Sequence, residues 1–88
     1  MTVLIDRPVW PAHGTLWSHL VSDASLTELH EFADAAGVPR RAFDLDHYDV
    51  PAERYDELVE RGAVPVSMRE LVLRLRASGL RVKAVDRR

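Results

Sequence analysis

The sequence contains no cysteine and no long apolar run, and these two absences exclude several classes of protein. Without cysteine, disulfide bonds, thiolate zinc sites and a cysteine nucleophile are ruled out. No run approaches the roughly 18 apolar residues that a membrane-spanning helix needs. The N-terminal residues also lack the basic patch and apolar stretch of a secretory signal. We therefore expect a cytoplasmic protein without a membrane partner.

Well-known catalytic and nucleotide-binding motifs are missing as well. Neither G-x-x-x-x-G-K-[ST] nor G-x-G-x-x-G occurs, which excludes the usual glycine-rich phosphate cradles. No G-x-S-x-G elbow presents a nucleophilic serine. The segment His30–Asp34 begins like the zinc motif H-E-x-x-H, but aspartate stands where the second histidine would be. The motifs therefore do not decide whether the protein is an enzyme.

The 88 residues and the hydrophobic content of 47% fit one small domain, residues 1–88. A chain of this length buries only about 60–65% of its unfolded surface, so its core is small. A homodimer would bury more surface, although no residue pattern identifies an interface.

The apolar pattern predicts alternating strands and helices. Capping boxes begin at Ser25 and Ser67, and each precedes apolar residues at helical spacing. The last strand, helix and strand form a βαβ unit, which favours a parallel pair, and Pro65 predicts an edge or a bend in its strand. The fold class is therefore α/β, with about three helices and a small three- or four-stranded, at least partly parallel sheet. The predicted elements are strands at 2–5, 16–21, 63–66 and 80–85, helices at 25–36, 51–61 and 68–78, and a polar connection at 38–49.

A net charge of −2 conceals a strong asymmetry along the chain. Residues 1–67 carry a net charge of −7, whereas residues 68–88 carry +5. A basic segment can bind a polyanion, which makes a non-catalytic nucleic-acid or protein interaction module one hypothesis. The segment can equally pack against acidic neighbours, and this interpretation is preferred because an acidic chain binds nucleic acid poorly.

Polar side chains follow the predicted strands. Asp6 follows the first strand, Asp23 the second, and Ser67 the strand before the last long helix. Sites in open parallel sheets gather beyond the carboxyl ends of the strands, and a helix N-terminus beside Arg69 and Glu70 can hold an anion. We therefore expect these five residues near one rim of the sheet.

Four histidines in so short a chain supply catalytic and metal-binding candidates. The catalytic candidates are His19, His30, His47 and Asp49. The candidate ligands for zinc, manganese or iron are His19, His30, His47, Asp6, Asp23, Asp46 and Asp49. None of their spacings is a recognised metal signature. Three of them have a structural alternative: a half-buried imidazole bonded to a carbonyl for His30, a strand residue flanked by apolar side chains for His19, and a helix cap for Asp49.

The two tryptophans, Trp10 and Trp17, have two interpretations. They can stack on a base or a sugar, as they do in proteins that bind single strands. In a domain this small, however, tryptophans more often close the core beneath a long loop. The second interpretation is preferred from the sequence.

Several short segments together resemble a bacterial and phage family, domain of unknown function 4031. The matching segments are Thr2–Asp6, Trp17–Asp23, Glu28–Ala33, His47–Val50 and Gly62–Glu70, which span roughly residues 2–75. The family has no assigned activity, and its relatives occur as small stand-alone proteins. The resemblance leaves His13 outside the pattern and implies as site residues Trp17, His19, Asp23, His30, His47, Tyr48, Asp49, Ser67, Arg69 and Glu70.

Three functions remain open at this point. The leading hypothesis is a His/Asp-lined polar pocket that binds a small anionic or nucleotide-like ligand. Its ligand-binding residues are Asp6, Trp17, Asp23, Tyr48, Ser67, Arg69 and Glu70. The second hypothesis is a metal-dependent phosphoester hydrolase built on the same residues, with a divalent metal as its cofactor. The third is the interaction module that uses the basic segment 68–88.

Overall fold

The computed structural model describes residues 2–82, which form six strands and three α-helices. In chain order these are β1 (Val3–Ile5), β2 (Trp10–Ala12), β3 (Thr15–Ser22), α1 (Leu26–Ala36), β4 (Phe43–Asp44), β5 (His47–Pro51), α2 (Tyr55–Glu60), β6 (Val64–Pro65) and α3 (Met68–Ser78). The α/β fold class is confirmed, with more strands than predicted. No helix of the described chain is long and apolar enough to cross a membrane.

The sheet is built around β3, an eight-residue strand. On one side β3 pairs antiparallel with β5, and on the other side it pairs antiparallel with β2 along its first half and β1 along its second half. The sheet order is β4-β5-β3-β1-β6, with β2 also beside β3. The parallel pair joins β1 to β6. Pro65 lies in β6, at the edge of the sheet, where its missing N–H removes no bond to a further strand.

One face of the sheet carries the larger hydrophobic core. Ile5, Leu20 and Tyr48 are cross-strand neighbours on β1, β3 and β5, and all three are fully buried. Leu29 of α1 and Leu58 of α2 belong to the same cluster. Burial of an apolar side chain of this size contributes about 1.5–3 kcal/mol, so this row attaches both helices to the sheet.

The opposite face is covered by α3 over part of its area. Leu4 and Val21 are cross-strand partners on β1 and β3, and they pack against Leu71 and Leu75 of α3. Alternate residues of a strand share a face, so His19, two residues before Val21, lies on this face as well. The polar residues of the candidate site therefore lie next to the smaller core.

The helix boundaries follow the predicted capping residues. The Ser25 and Ser67 side chains accept the backbone N–H groups of Glu28 and Glu70 at the starts of α1 and α3. Helix α1 ends at Gly37, whose φ of 75° is left-handed and is adopted most easily by glycine. The predicted helices at 25–36 and 68–78 are therefore confirmed.

Three predictions about the path of the chain need correction. The helix predicted at 51–61 is shorter, because Pro51 belongs to β5 and residues 52–54 form a 3-10 turn before α2. The polar connection predicted at 38–49 instead includes β4 and the start of β5, because the alternating residues from His47 pair with β3. Residues 80–82 are not in a strand, and the rest of the predicted strand at 80–85 lies outside the described residues. The parallel pair observed in the described chain is therefore β1 with β6.

Candidate functional site

The site begins where β1 ends, beside the middle of β3. Asp6 follows β1 and is 1% exposed. Its Oδ1 atom accepts the backbone N–H of His19 at 2.6 Å, and its own N–H donates to the His19 carbonyl at 3.3 Å. Asp6 Oδ2 lies 2.8 Å from His19 Nδ1. One carboxylate therefore holds both the backbone and the ring of His19.

A second carboxylate–histidine pair lies at the start of β5. His47 Nδ1 is 2.7 Å from Oδ1 of Asp46, a fully buried residue. The preceding turn passes through Leu45 at a φ of 61°, which is a left-handed conformation. Asp46 Oδ2 also accepts the backbone N–H of Val82 at 2.8 Å. The carboxylate is therefore held from two sides and fixes the orientation of the His47 ring.

Asp49 brings a third group to the same face of the sheet. It is the cross-strand partner of His19 and lies two residues beyond His47 on β5. Asp49 Oδ1 is buried and lies 3.1 Å from His47 Nε2, but it makes no hydrogen bond within the described chain. One ligand atom each from His19, His47 and Asp49 lies within 4.8 Å of the others. We call these three residues the His/Asp cluster.

The two supporting carboxylates determine which ring nitrogen carries the proton. A carboxylate only accepts hydrogen bonds, so Nδ1 of His19 and Nδ1 of His47 are the donors to Asp6 and Asp46. In a neutral imidazole the other nitrogen then keeps its lone pair. Both Nε2 atoms can therefore accept a proton or bind a metal ion.

The carboxylates also favour positive charge on His47. Burial opposes the charged form of this ring, whose side chain is 12% exposed. The contacts with Asp49 and Asp46 outweigh the burial effect and raise the pKa of His47 above its ordinary value. The cluster is therefore an electrostatic environment that stabilises a cation.

A pocket of about 430 Å³ lies between the two histidines and α3. Met68 and Leu71 of α3 and Arg81 line it together with His19 and His47. Apolar walls around a few polar groups are the usual composition of a small-molecule pocket. The geometry therefore provides the cluster with an adjoining space for a ligand.

His30 does not join the other two histidines. It lies on α1, where its Nδ1 is 2.7 Å from the hydroxyl of Tyr48 and its ring packs edge-on against Phe43. Tyr48 stands between His47 and Asp49 on β5, so it points to the opposite face of the sheet. Desolvation by burial raises the pKa of the Tyr48 hydroxyl. The expected group of three histidines is therefore corrected to two, and Tyr48 belongs to the larger core.

Asp23 is also separated from Asp6. The expectation of one rim assumed that β1 and β3 end at the same edge, but the two strands are antiparallel. Asp23 consequently lies beside the start of β1, where it accepts the backbone N–H of Thr2 at 2.9 Å and forms an ion pair with Arg74. Its contacts tie the start of β1 to the middle of α3, at a distance from the cluster along β3.

The remaining candidates have local contacts. Ser67 caps α3, Arg69 is exposed, and Glu70 is exposed and lies 3.6 Å from Arg74 of the same helix. The indole N–H of Trp17 donates to the carbonyl of Ala12 at 2.9 Å across the β2–β3 hairpin. The structure therefore does not bring Ser67, Arg69 or Glu70 into the lining that contains His19 and His47.

One neighbour of the cluster was missed from the sequence. The Trp10 ring stacks on His19, with centroids 5.9 Å apart and an angle of 14° between the planes. Trp10 reaches this position because it pairs with Trp17 across a hairpin whose turn is His13-Gly14, both at positive φ. A two-residue turn ending in glycine between two β-rich runs is a hairpin signal, and it would have revealed this register.

Comparison with known proteins identifies a family for this chain. A family model described as "Protein of unknown function (DUF4031)" matches residues 3–78. The matched range includes the His/Asp cluster and both supporting carboxylates. No curated protein and no solved structure matches the chain significantly.

Proposed function

We propose that this chain, which belongs to the DUF4031 family, binds a divalent transition-metal ion such as Zn²⁺ through His19, His47 and Asp49. One observation carries the proposal: each imidazole donates from Nδ1 to a buried carboxylate, Asp6 or Asp46. Metal-ligating histidines almost always make such a bond from the nitrogen that does not bind the metal. The bond fixes the tautomer and raises the basicity of the ligating nitrogen.

The distances and the donor set agree with this assignment. Two ligand atoms on a tetrahedral zinc ion, each bonded at about 2.0–2.2 Å, are separated by about 3.3 Å, and His47 Nε2 lies 3.1 Å from Asp49 Oδ1. A bound ion would also coordinate this buried oxygen, which accepts no hydrogen bond within the described chain. Two imidazoles and one carboxylate favour zinc or iron over Mg²⁺ and Ca²⁺, which prefer oxygen ligands.

The number of protein ligands supports a catalytic rather than a structural ion. Structural zinc sites have four protein ligands, whereas catalytic sites have three and keep a position open for water or substrate. The pocket of about 430 Å³ beside His19 and His47 provides room for a substrate at the open position. A metal-bound water is a strong nucleophile near neutral pH, and the reaction that we propose for it is the hydrolysis of a phosphoester.

The other two hypotheses have less support. The anion-binding hypothesis relied on Arg69, which is exposed and does not line the pocket beside the cluster. In the basic segment, Arg74 pairs with Asp23 and Arg81 lies 3.6 Å from Asp46. Acidic residues of the same chain therefore neutralise part of this charge, which favours internal packing over binding of a polyanion.

The metal content of the purified protein tests the proposal. The protein is prepared without added metal, its zinc, iron and manganese are measured by plasma mass spectrometry, and its zinc affinity is measured by competition with a chromophoric chelator. We expect about one ion per chain in the wild type and loss of the ion in His19→Ala and His47→Ala. His13→Asn is the matched control, since His13 is exposed and adopts a φ of 50° that asparagine tolerates.

Equal zinc affinities of the wild type and both cluster variants would contradict the proposal. Hydrolysis is measured separately with bis(p-nitrophenyl) phosphate, before and after zinc loading. We expect turnover from the zinc-loaded wild type and none from His47→Ala. Zinc binding without turnover of phosphoesters would retain the metal site and reject the reaction.

A further inference from the structure

A second pocket adjoins the His/Asp cluster and has a volume of about 600 Å³. Its lining includes Trp10, Trp17, Phe43 and Arg41, together with Asp49 of the cluster. This volume lies within the range of about 300–1,000 Å³ that is typical of sites for small molecules. We call it the tryptophan pocket, and its place next to Asp49 raises the question of which ligand it would take.

We propose that the tryptophan pocket binds the base of a nucleoside monophosphate and directs its phosphate towards the His/Asp cluster. The direction of the phosphate rests on the proposed metal site, whereas the binding of the base does not. The proposal depends on three features of the pocket: its aromatic walls, an arginine in its lining that has no side-chain partner among residues 2–82, and its connection to the cluster.

The aromatic walls are suited to a planar ring. Trp10 is 42% exposed, although its indole is one of the largest apolar groups in the chain. Its ring lies 6.5 Å from that of Trp17, which is held by a hydrogen bond to the Ala12 carbonyl. A base that stacks on an exposed indole covers this apolar surface, and such stacking strengthens binding for every type of base.

The lining contains two arginines, Arg41 and Arg54, and two aspartates, Asp44 and Asp49, and of these arginines Arg41 is the one available to an anionic ligand. Arg41 is exposed and makes no ion pair or hydrogen bond through its side chain within the described chain. The neighbouring Arg54, in contrast, is bound to Glu57 and to the Ala36 carbonyl. A free guanidinium binds phosphate oxygens well because its donors match their geometry. The chain as a whole is acidic, so a mononucleotide fits this charge better than a nucleic acid.

Two residues connect the tryptophan pocket with the cluster. Asp49 lines the pocket while its Oδ1 atom lies 3.1 Å from His47 Nε2. Trp10 lines the same pocket and stacks on His19. A base stacked on Trp10 would therefore place the other end of the nucleotide next to the proposed ion, which attracts the phosphate.

Intrinsic fluorescence tests the proposal because the chain contains two tryptophans and both line the pocket. The zinc-loaded protein is titrated with AMP, GMP, CMP and UMP and with ribose 5-phosphate, and calorimetry gives the affinities independently. We expect at least one nucleotide to change the tryptophan emission and to bind about tenfold or more tightly than ribose 5-phosphate, because stacking adds to the affinity.

Two variants separate the base from the phosphate. Trp10→Ala should weaken nucleotide binding about tenfold and leave the affinity for ribose 5-phosphate unchanged. Arg41→Ala should lower the affinities for the nucleotide and for ribose 5-phosphate by the same factor. Leu16→Ala is the matched control, because Leu16 is an apolar residue of the same hairpin, is 44% exposed and does not line the pocket.

The outcomes distinguish this proposal from the metal proposal. Equal affinities of the four nucleotides and ribose 5-phosphate, or an unchanged nucleotide affinity in Trp10→Ala, would overturn the assignment of the pocket even if zinc is bound. A nucleotide preference in a chain that fails to bind zinc would support the base site and reject the metal site. If zinc increases the affinity for AMP but not for adenosine, the result supports the predicted direction of the phosphate. An equal effect on both affinities would reject it.

Discussion

At the residue scale, Asp6 shows how one carboxylate can serve both fold and site. Strands β1 and β2 pair with different parts of β3, and Asp6 lies beside the gap between them. One carboxylate oxygen of Asp6 accepts the backbone N–H of His19, and the other faces His19 Nδ1. Each oxygen of the carboxylate accepts, so both donors of His19 are satisfied. An amide has one accepting oxygen and cannot replace both contacts.

Asp6→Asn is therefore predicted to impair both stability and metal binding. One buried donor of His19 loses its acceptor, which should lower the free energy of unfolding by about 1–3 kcal/mol. Loss of the orienting carboxylate should lower zinc affinity about 10–100-fold. Urea unfolding and chelator competition measure the two effects, with Asp44→Asn as the control because the Asp44 side chain is exposed. An unchanged zinc affinity in a destabilised Asp6→Asn would show that Asp6 supports the fold alone.

Asp23 is predicted to make stability depend on pH in acid. Burial opposes its charge, but the Thr2 N–H and the Arg74 guanidinium outweigh this and lower the pKa of Asp23. A lowered pKa means that the unfolded chain binds the proton more tightly. Asp23 therefore contributes fully to the free energy of unfolding above its pKa in the unfolded chain, about 3.9. This contribution is lost as the pH falls through the lower pKa of the folded state.

The free energy of unfolding of the wild type and Asp23→Asn checks this prediction between neutral pH and about pH 2. We expect the wild type to be more stable at neutral pH and its advantage to shrink below about pH 4. Asp34→Asn is the control, because Asp34 is 60% exposed in its ion pair with Arg40 and such pairs contribute little. An advantage over Asp23→Asn that stays constant throughout acid would contradict the assignment.

At the scale of elements, helix α3 covers the smaller core and forms one wall of the pocket beside the cluster. Leu71 and Leu75 are its buried residues, and Leu71 also lines that pocket. The first turn of α3 depends on Ser67, whose hydroxyl accepts the Glu70 N–H at 3.0 Å. The stability of this wall is therefore tied to one capping contact.

Ser67→Ala is predicted to lower the free energy of unfolding by about 1 kcal/mol, the typical effect of losing an N-cap. Ser67→Asp should retain the wild-type stability, because aspartate caps as well as serine and complements the helix dipole. Urea denaturation of the three proteins measures the differences. Equal losses in Ser67→Ala and Ser67→Asp would show that the contact with Glu70 is not what stabilises α3.

At the scale of the whole molecule, the two faces of the sheet have different roles. The face with Leu20 and Tyr48 is filled by α1 and α2. The other face is apolar under α3 and carries the polar residues His19, His47 and Asp49 beside it. The proposed ion would link β3 to β5 through side chains on this second face. It would therefore add to the stability of the folded state as a whole.

Zinc is predicted to raise the melting temperature of the protein. A free concentration of about 100 times Kd stabilises a folded state by about 2.7 kcal/mol, and each kcal/mol corresponds to about 4–8 °C in a domain of this size. We expect a rise of roughly 10–20 °C in the wild type and none in His47→Ala, measured by differential scanning calorimetry. Mg²⁺ should have little effect because imidazole is a poor ligand for it. An equal rise in His47→Ala would place the zinc elsewhere.

Local signals predicted the helices well and the sheet less well. Ser25, Gly37 and Ser67 act on residues three or four positions away, so the positions of α1 and α3 could be predicted from neighbouring residues. The strands β4 and β5 were missed because Asp46 and Asp49 made their segment appear polar. Their carboxylates lie at the candidate site and contact His47. The polar residues that obscured the strand in the sequence are therefore residues of the candidate site.

The sequence by itself determined the α/β class, the two capped helices, the family resemblance and the residue types of a His/Asp site. Tertiary structure alone decided which of these residues meet. Antiparallel pairing of β1 with β3 sent Asp6 and Asp23 to opposite ends of the sheet. The alternation of side chains along β5 placed Tyr48 on the face that packs against His30 of α1 and His47 on the other face. Pairing direction and strand register depend on contacts between distant segments, and local sequence patterns do not specify them.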